Sequence, residues 1–553
     1  MTVSETDRPR RLIVCAGTGC VSSDSLDVFD SLRDRLEEDE AGDGVEVHVS
    51  GCHGFCEEGP LLRLEPSGVL YTGVDTDDVE EILERTVDRG EIVEDLCYAG
   101  PDGQVYAVEE SIPFYDGQRR IVLSNSGSID PGEIADYRAE GGYEPLDRVL
   151  TEMGPAEVCA EVKDAGLRGR GGAGFPAGVK WELARDNDSA TRYLIANCDE
   201  GDPGAFMDRS LVEGDPHRVL EGMTIAGYGI GASQGYVFVR AEYPLAVKRI
   251  EAAISAAREE GYLGEDILDS GFSFDIEVKK GAGAFVSGEE TALIKSVEGK
   301  RGMPEPRPPY PTDSGLWGHP TVINNVETLA NVPEIIRRGS DWFADIGTTE
   351  SPGTKTFAVS GDVQNTGLIE VPMGTTLREI VFDVAGGIDG DGEFKAVQIG
   401  GPSGGCLTSE HLDMPLTFDS LEAVGAMIGS GGLVVMDDSN CMVAVARFFL
   451  SFTQEESCGK CPPCRLGTAR MLEILEAFTN GEADESDLER LERLAEYVSE
   501  ASLCGLGKTA PSPVQSTLRY FRDEYEAHLE GRCPTGECFA PDETVATPPG
   551  GGQ

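Results

Sequence analysis

Four cysteines toward the carboxyl end carry the strongest chemical signal in this chain. Cys458, Cys461 and Cys464 stand in Glu-Ser-Cys-Gly-Lys-Cys-Pro-Pro-Cys-Arg, and Cys504 follows in Ser-Leu-Cys-Gly-Leu-Gly. Three thiolates at C-x2-C-x2-C spacing let one tight loop grip three corners of an iron–sulfur cube, while the fourth ligand comes from elsewhere, which is the ligand set of a [4Fe–4S] cluster. Such a cluster carries single electrons.

Two further cysteine groups differ in spacing. Cys15 and Cys20 lie in Val-Cys-Ala-Gly-Thr-Gly-Cys, and Cys52 and Cys56 in Gly-Cys-His-Gly-Phe-Cys. Two loops presenting two thiolates each suit a [2Fe–2S] rhomb or a tetrahedral zinc, and both metals accept four sulfurs. Neither pair has the C-x-x-C spacing of a redox dithiol. Near the end, His528, Cys533 and Cys538 make a short Cys/His tract one ligand short of a closed zinc site, with Cys441 as a conceivable fourth. Bound metal and idle thiols both remain open there. Cys97, Cys159, Cys198 and Cys406 have no partner by spacing and read as buried thiols, and His53 reads as a neighbour of Cys52 rather than a ligand.

A glycine-rich run, Gly166 to Trp181, contains Gly169, Gly171, Gly172 and Phe175. Its backbone is able to approach a flat ring or a phosphate, with Arg170 and Lys180 supplying positive potential. Alone this is a weak signal, since glycine also serves plain turns. Three more runs add weight: Asn197-Cys-Asp-Glu-Gly-Asp202, Gly281 to Leu293, which contains Phe285, Gly288, Glu289 and Glu290, and Thr321-Val-Ile-Asn-Asn-Val-Glu-Thr328. Amides and carboxylates at a strand's carboxyl end suit ribityl and ribose hydroxyls.

The elements that must position these groups follow from hydrophobic period. Arg11–Gly17, Val45–Val49 and Val69–Thr72 read as strands, with helices over Ser25–Leu36 and Val79–Thr86, a small α/β unit. A turn-rich connector follows. Strands near Tyr193–Ala196, Tyr236–Arg240 and Phe274–Val278 define a longer α/β stretch, and segments such as Thr356–Ser360 and Ala396–Ile399 a β-rich one. From Asn440 to Leu529 the pattern is helical, with Leu488, Leu491, Ala495 and Val498 on one apolar stripe. The boundaries are 1–10 disordered, 11–95, linker 96–127, 128–346, 347–438, 439–530, and a flexible Cys-containing tail 531–553.

Composition excludes several classes. The 100 Asp and Glu against 45 Lys and Arg give a net charge of −55, which repels nucleic acid and anionic lipid. Because the acid is spread along the whole chain, it reads as a surface adapted to high salt, where screening removes self-repulsion. No signal-peptide core or membrane-length apolar stretch is present, so a cytoplasmic protein without membrane insertion is expected. In that reducing compartment the 15 cysteines favour metal ligation over disulfides.

Residues 11–95 resemble the thioredoxin-like [2Fe–2S] ferredoxin of the small subunit that partners the flavoprotein of respiratory complex I. The glycine, Asn-Cys-Asp-Glu, Gly-Glu-Glu and Asn-Asn runs, in this order and followed by the cysteines at 458–504, resemble the NADH-binding flavoprotein subunit of complex I. They equally resemble the β subunits of NAD-linked formate dehydrogenases and hydrogenases. The resemblance spans about Gly127 to Phe521 and implies an FMN-binding Rossmann-like α/β domain, a β-grasp domain of the soluble-ligand-binding type, and a helical bundle holding the [4Fe–4S] cluster. It places Gly169, Gly171, Lys180, Asn197, Asp199, Glu200, Gly288, Glu289, Glu290, Asn324, Asn325 and Thr328 around FMN, and Gly172, Phe175, Asp202, Arg307 and Tyr310 at NADH. Asp202 stands where complex I subunits usually have Glu, and Arg307 and Tyr310 stand for Lys and Phe; all three keep the chemical type, so the pocket is expected to persist. An acidic wall of Glu200, Asp202 and Glu290 would disfavour a 2′-phosphate and so NADP.

Electron counting then fixes the order of events. A nicotinamide gives up two electrons as a hydride, each cluster takes one, and a flavin divides the pair. No side chain is required as acid or base, so no catalytic residue is named. The expected partner is a redox protein: first a molybdopterin formate dehydrogenase, because the ferredoxin domain is fused here, then a hydrogenase, then complex I. A silent iron–sulfur scaffold without nucleotide is the alternative of another class.

Overall fold

The computed structural model describes residues 2, 8–38, 44–101 and 103–539. Most of the N-terminal stretch expected to be disordered, and the tail beyond 539, lie outside the described residues. The chain is a mixed α/β protein with three main sheets and a helical carboxyl end.

The first sheet has the order Glu46–Ser50, Arg11–Cys15, Leu62–Glu65, Val69–Tyr71. Its first two strands run parallel, which demands a crossover, and helix Ser25–Glu38 supplies it. Their register pairs Cys15 with Ser50, so the two cysteine loops leave the same edge side by side. Strand Leu62–Glu65 is an addition to the elements that hydrophobic period marks. It is a short segment fully buried at Leu62 and Leu64, with too few residues to display a period.

The central sheet is all parallel, in the order Thr321–Asn325, Tyr193–Cys198, Gln234–Arg240, Asp275–Gly281. The last strand in sequence returns to the outside of the first, so the order reverses between Thr321–Asn325 and Tyr193–Cys198. That reversal opens a crevice at the strands' carboxyl ends, where Asn197 and Asn325 pair in register.

The third sheet is mixed, in the order Gly367–Pro372, Thr354–Gly361, Gly432–Asp437, Phe394–Ile399, Gly405–Thr408. The helical end packs Met442–Glu455, Pro462–Thr479 and Glu485–Ala501, burying the stripe Leu488, Leu491, Ala495 and Val498.

The segment 96–127 is not a loose connector. Ile112, Phe114, Val122 and Leu123 are almost wholly buried, and Phe114 stacks on Phe55 of the second cysteine loop at 4.5 Å. The buried Glu370 carboxylate holds it in place, accepting the N–H groups of Ile121, Val122 and Leu123 at 2.8, 3.2 and 2.9 Å and the Thr354 hydroxyl. The tail is likewise ordered as far as Phe539: Cys533 is buried and the Phe539 ring meets His528 edge-on at 5.4 Å.

Removing the Glu370 carboxylate would strand four buried donors, so Glu370→Ala is expected to cost about 3 kcal/mol or more in urea unfolding. Glu370→Gln, which keeps an acceptor, should cost less.

Candidate functional site

Cys458, Cys461, Cys464 and Cys504 line one pocket, together with Val286, Pro304, Leu503 and Leu506. The pocket arises from two helix starts. Cys461 caps helix Pro462–Thr479, whose leading prolines set the first turn and place Cys464 in it, and Cys504 caps Gly505–Thr509. Burial pushes the Cys464 thiol up to about 11. Four thiolates in an apolar pocket require a cationic core, which an iron–sulfur cube supplies, so the donor set fits that group.

Cys15, Cys20, Cys52 and Cys56 also converge. Cys52 and Cys56 have their sulfurs 3.6 Å apart, and Cys15 interacts with both Cys20 and Cys52. The neighbouring Cys15 thiol, with burial, pushes Cys52 up to about 12. The Gly54 N–H points at the Cys52 sulfur from 3.3 Å. This donor set fits a four-thiolate metal group. His53 is fully buried, with Nε2 3.0 Å from the Ser50 hydroxyl, so it packs behind the loop.

Between these sulfur sites lies the glycine loop. Phe175 is 46% exposed, with the Lys180 ammonium 6.0 Å from its ring centroid, and Tyr310 is 53% exposed. Lys180 bonds Glu290 at 2.9 Å and the Ile323 carbonyl at 3.0 Å, and Arg307 reaches the other Glu290 oxygen at 3.2 Å. Cations, open rings and a left-handed backbone at Gly172 and Gly174 around the strand crevice suit a ligand with flat rings, hydroxyls and phosphates.

Other predicted residues build the wall. Asn324 accepts from Trp181, Asn325 caps helix Val326–Ala330 and donates to Asp208, and the Thr328 hydroxyl accepts the Arg170 N–H. Glu289 caps helix Glu290–Val297, and Asn197 donates to the Gly288 carbonyl at 3.0 Å. The Gly169 N–H bonds the Phe175 carbonyl, and Gly171 packs on the Asn325 side chain.

Two expectations need correction. Arg170 does not face a ligand: it is fully buried, and its guanidinium donates to the Thr354, Arg168 and Pro352 carbonyls, pinning the loop to the third sheet. Nor do Glu200, Asp202 and Glu290 form a wall of free charge. Glu200 is 3% exposed and spends its carboxylate on the Asp208 and Arg209 N–H groups, while Glu290 is offset by Lys180 and Arg307.

Both sulfur sites adjoin this pocket. The turn Phe285–Gly288 runs straight from the [4Fe–4S] pocket, which Val286 lines, into Glu289 and Glu290, and the Phe285 N–H is fixed by Glu456 at 2.7 Å. On the other side, helix Met207–Gly214, 8 residues and so about 12 Å long, starts beside Glu200. It ends where Glu213 accepts both the Thr18 N–H and hydroxyl and where Gly214 touches Gly51. The sequence marks Phe285 and Gly288 as part of a motif but not as a link to the sulfur pocket, and Glu213 carries no spacing signal of its own.

A third cluster completes the C-terminal tract. The ligand atoms of Cys441, His528, Cys533 and Cys538 all lie within 4.8 Å of one another. The Glu524 carbonyl, 2.7 Å from His528 Nδ1, holds that nitrogen, and Nε2 stands 3.6 Å from the Cys441 sulfur. Contact with the Cys538 thiol draws Cys441 down to about 4. The lone thiols Cys97, Cys159, Cys198 and Cys406 are buried.

This is the architecture of a flavin- and iron–sulfur-binding oxidoreductase, and the relatives agree. Residues 162–334 match the Nuo51 FMN-binding domain, and residues 444–528 the iron–sulfur binding region of NADH-ubiquinone oxidoreductase-F. The NADP-reducing hydrogenase subunit HndC of Solidesulfovibrio fructosivorans is 57% identical over 76% of this chain and 86% of its own length. An NADH-quinone oxidoreductase polypeptide of Rhizobium meliloti, the second of its F type, is 46% identical over 75% of this chain and 99% of its own. A solved NAD+-reducing [NiFe]-hydrogenase chain, 32% identical, superposes with a TM-score of 0.68 over 96% of this chain and 86% of that one. The chain therefore belongs to the family of F-type NADH-quinone oxidoreductase polypeptides and their hydrogenase counterparts.

Burial pushes the carboxyls of Asp199 and Glu200 up to about 7 and that of Asp202 to about 6. A carboxyl raised in the fold keeps its proton where the unfolded chain has lost it, so its contribution to stability falls as pH rises between the two values. For Glu200→Gln, the stability difference from wild type should shift in the variant's favour between pH 4.5 and about 7 and stay constant above, in urea unfolding across pH.

Proposed function

We propose that this chain is the NADH-oxidising, FMN-binding diaphorase subunit of a multi-subunit redox enzyme in the cytoplasm. The observation that carries the reading is the crevice at the carboxyl ends of the central strands, where the Lys180 ammonium stands by the half-exposed Phe175 ring, flanked by converging cysteines on two sides. In domain terms the first sheet is a thioredoxin-like [2Fe–2S] module, the central sheet a Rossmann-like FMN domain, the third a β-grasp domain, and the helical end a bundle around the [4Fe–4S] site.

Bound FMN would take up a nicotinamide's electron pair and release electrons singly to the clusters. The chain's own work is binding and orientation. Lys180, anchored on the Ile323 carbonyl, offers a fixed cation; Asn197, Asn324 and Asn325 at the strand ends shape the crevice; and the glycine loop brings backbone N–H groups close. Phe175, Tyr310, Arg307 and Asp202 receive the nucleotide. With the acidic wall reduced to Asp202, the preference for NAD over NADP rests on that residue.

A hydrogenase is the first candidate partner, since a hydrogenase subunit shares 57% identity and a hydrogenase chain superposes over 96% of the length. Complex I-like and formate dehydrogenase partners follow; the latter rests on the fused ferredoxin module alone. Cys441, His528, Cys533 and Cys538 are read as a zinc site, because one imidazole and three thiolates make a closed tetrahedral set.

Three measurements test this. Anaerobically purified protein should show a flavin absorbance that NADH bleaches; absence of flavin, or indifference to NADH, overturns the diaphorase reading. Affinity capture from the native cell should bring down a NiFe or FeFe hydrogenase subunit, whereas a molybdopterin subunit would restore formate. Metal analysis should find one zinc per chain, lost in Cys538→Ser with flavin and iron unchanged; protein without stoichiometric zinc refutes the C-terminal site.

A further inference from the structure

Turns of the third sheet reach into the crevice. Its turn Gly429-Ser430-Gly431-Gly432 has one residue with a side chain, and left-handed backbone at Gly429 and Gly431, φ +58° and +119°, fixes the path. A β-carbon at Gly431 would lie 2.4 Å from the Thr356 carbonyl oxygen, and one at Gly172 of the glycine loop 3.2 Å from Gly429 Cα. Ser430 thus has little freedom, and its hydroxyl donates to Asp202 Oδ2 at 2.7 Å. Gly401, from a second turn of the same sheet, closes the other side: a β-carbon there would stand 2.7 Å from the same oxygen. The second oxygen, Oδ1, is buried with no hydrogen-bond partner among the described residues. A buried carboxylate oxygen without a donor is costly, and a ligand hydroxyl would relieve it.

We infer that Ser430 is a positioning residue for nucleotide binding: it locks the Asp202 carboxylate so that Oδ1 is presented to a ribose hydroxyl. The inference rests on the reading of this crevice as the nucleotide site and gives the third sheet a role beyond packing. Burial pushes the Asp202 carboxyl up to about 6 against the opposing pull of the Ser430 bond and the Arg240 charge. The Asp202 charge in turn helps to push the neighbouring Glu200 carboxyl up. A locked acceptor loses less freedom on binding than a rotating one, so the effect belongs in KM rather than in the chemical step.

The test is steady-state NADH oxidation with ferricyanide as acceptor, on variants checked for full flavin and iron content. S430A should raise KM for NADH about tenfold, with kcat changed less than about twofold. S430T, which keeps the hydroxyl, should restore most of the loss, and S430G, which removes it without adding bulk, should match S430A. D202N should raise KM at least as far, and S430A added to D202N should change nothing more, because the hydroxyl acts only through that carboxylate. Wild-type KM in both S430A and S430G, a full additional loss in the double variant, or an S430T KM as high as that of S430A overturns the inference. A wild-type KM in D202N would overturn the nucleotide-site reading itself, and Ser430's role with it.

Discussion

Carboxylates lent by one unit to the backbone N–H groups of another hold this chain together. Glu213 of the central domain takes the Thr18 N–H of the first cysteine loop. Glu370 of the third sheet takes three N–H groups of the segment before the central domain. Glu327 of the central domain takes the Thr356 N–H and pairs with the buried Lys355 of the third sheet. Glu456 of the helical end takes the Phe285 N–H at the wall of the cluster pocket. Charge-assisted bonds of this kind are directional as well as strong, and leaving one partner buried alone is costly. They therefore fix how the units sit, which side-by-side apolar packing would leave looser.

In the proposed function that fixity matters, because electrons would cross between units. In the proposed reading the crevice is the junction, and it lies within one short element of each sulfur site: a single turn, Phe285–Gly288, on one side and one eight-residue helix, Met207–Gly214, on the other. Glycines let the surfaces meet. Gly51 packs on Gly214 so closely that a β-carbon on Gly51 would lie 2.2 Å from Gly214 Cα. In this account the chain supplies positions and dielectric, and the bound groups supply the redox chemistry.

Much of this is legible in the sequence. The cysteine spacings announce the sulfur sites, and the C-terminal tract is completed by Cys441, a residue separated from His528 by most of the helical end. Apolar runs mark three of the four central strands, Tyr193–Cys198 among them, because parallel strands are largely buried on both faces, but Thr321–Asn325 reads only as an Asn-Asn motif and is missed as a strand. What the sequence hides is what depends on tertiary contact. Arg170 looks like a ligand-facing cation, yet three carbonyls bury it. The segment 96–127 looks like a connector because its turns are frequent, although Phe114 and Leu123 lie in cores. Ser430, one hydroxyl in a glycine run, carries no signal until its distance to Asp202 is known.

The central claim is that hydride enters at the crevice and electrons leave toward two sulfur sites. Anaerobic electron paramagnetic resonance of the isolated chain with NADH as sole reductant tests it most directly. The account predicts signals from both a [2Fe–2S] and a [4Fe–4S] cluster, and a Cys504→Ser variant that alters the second while NADH still reduces the first. Clusters that dithionite reduces but NADH does not, in protein that retains its flavin, would contradict it.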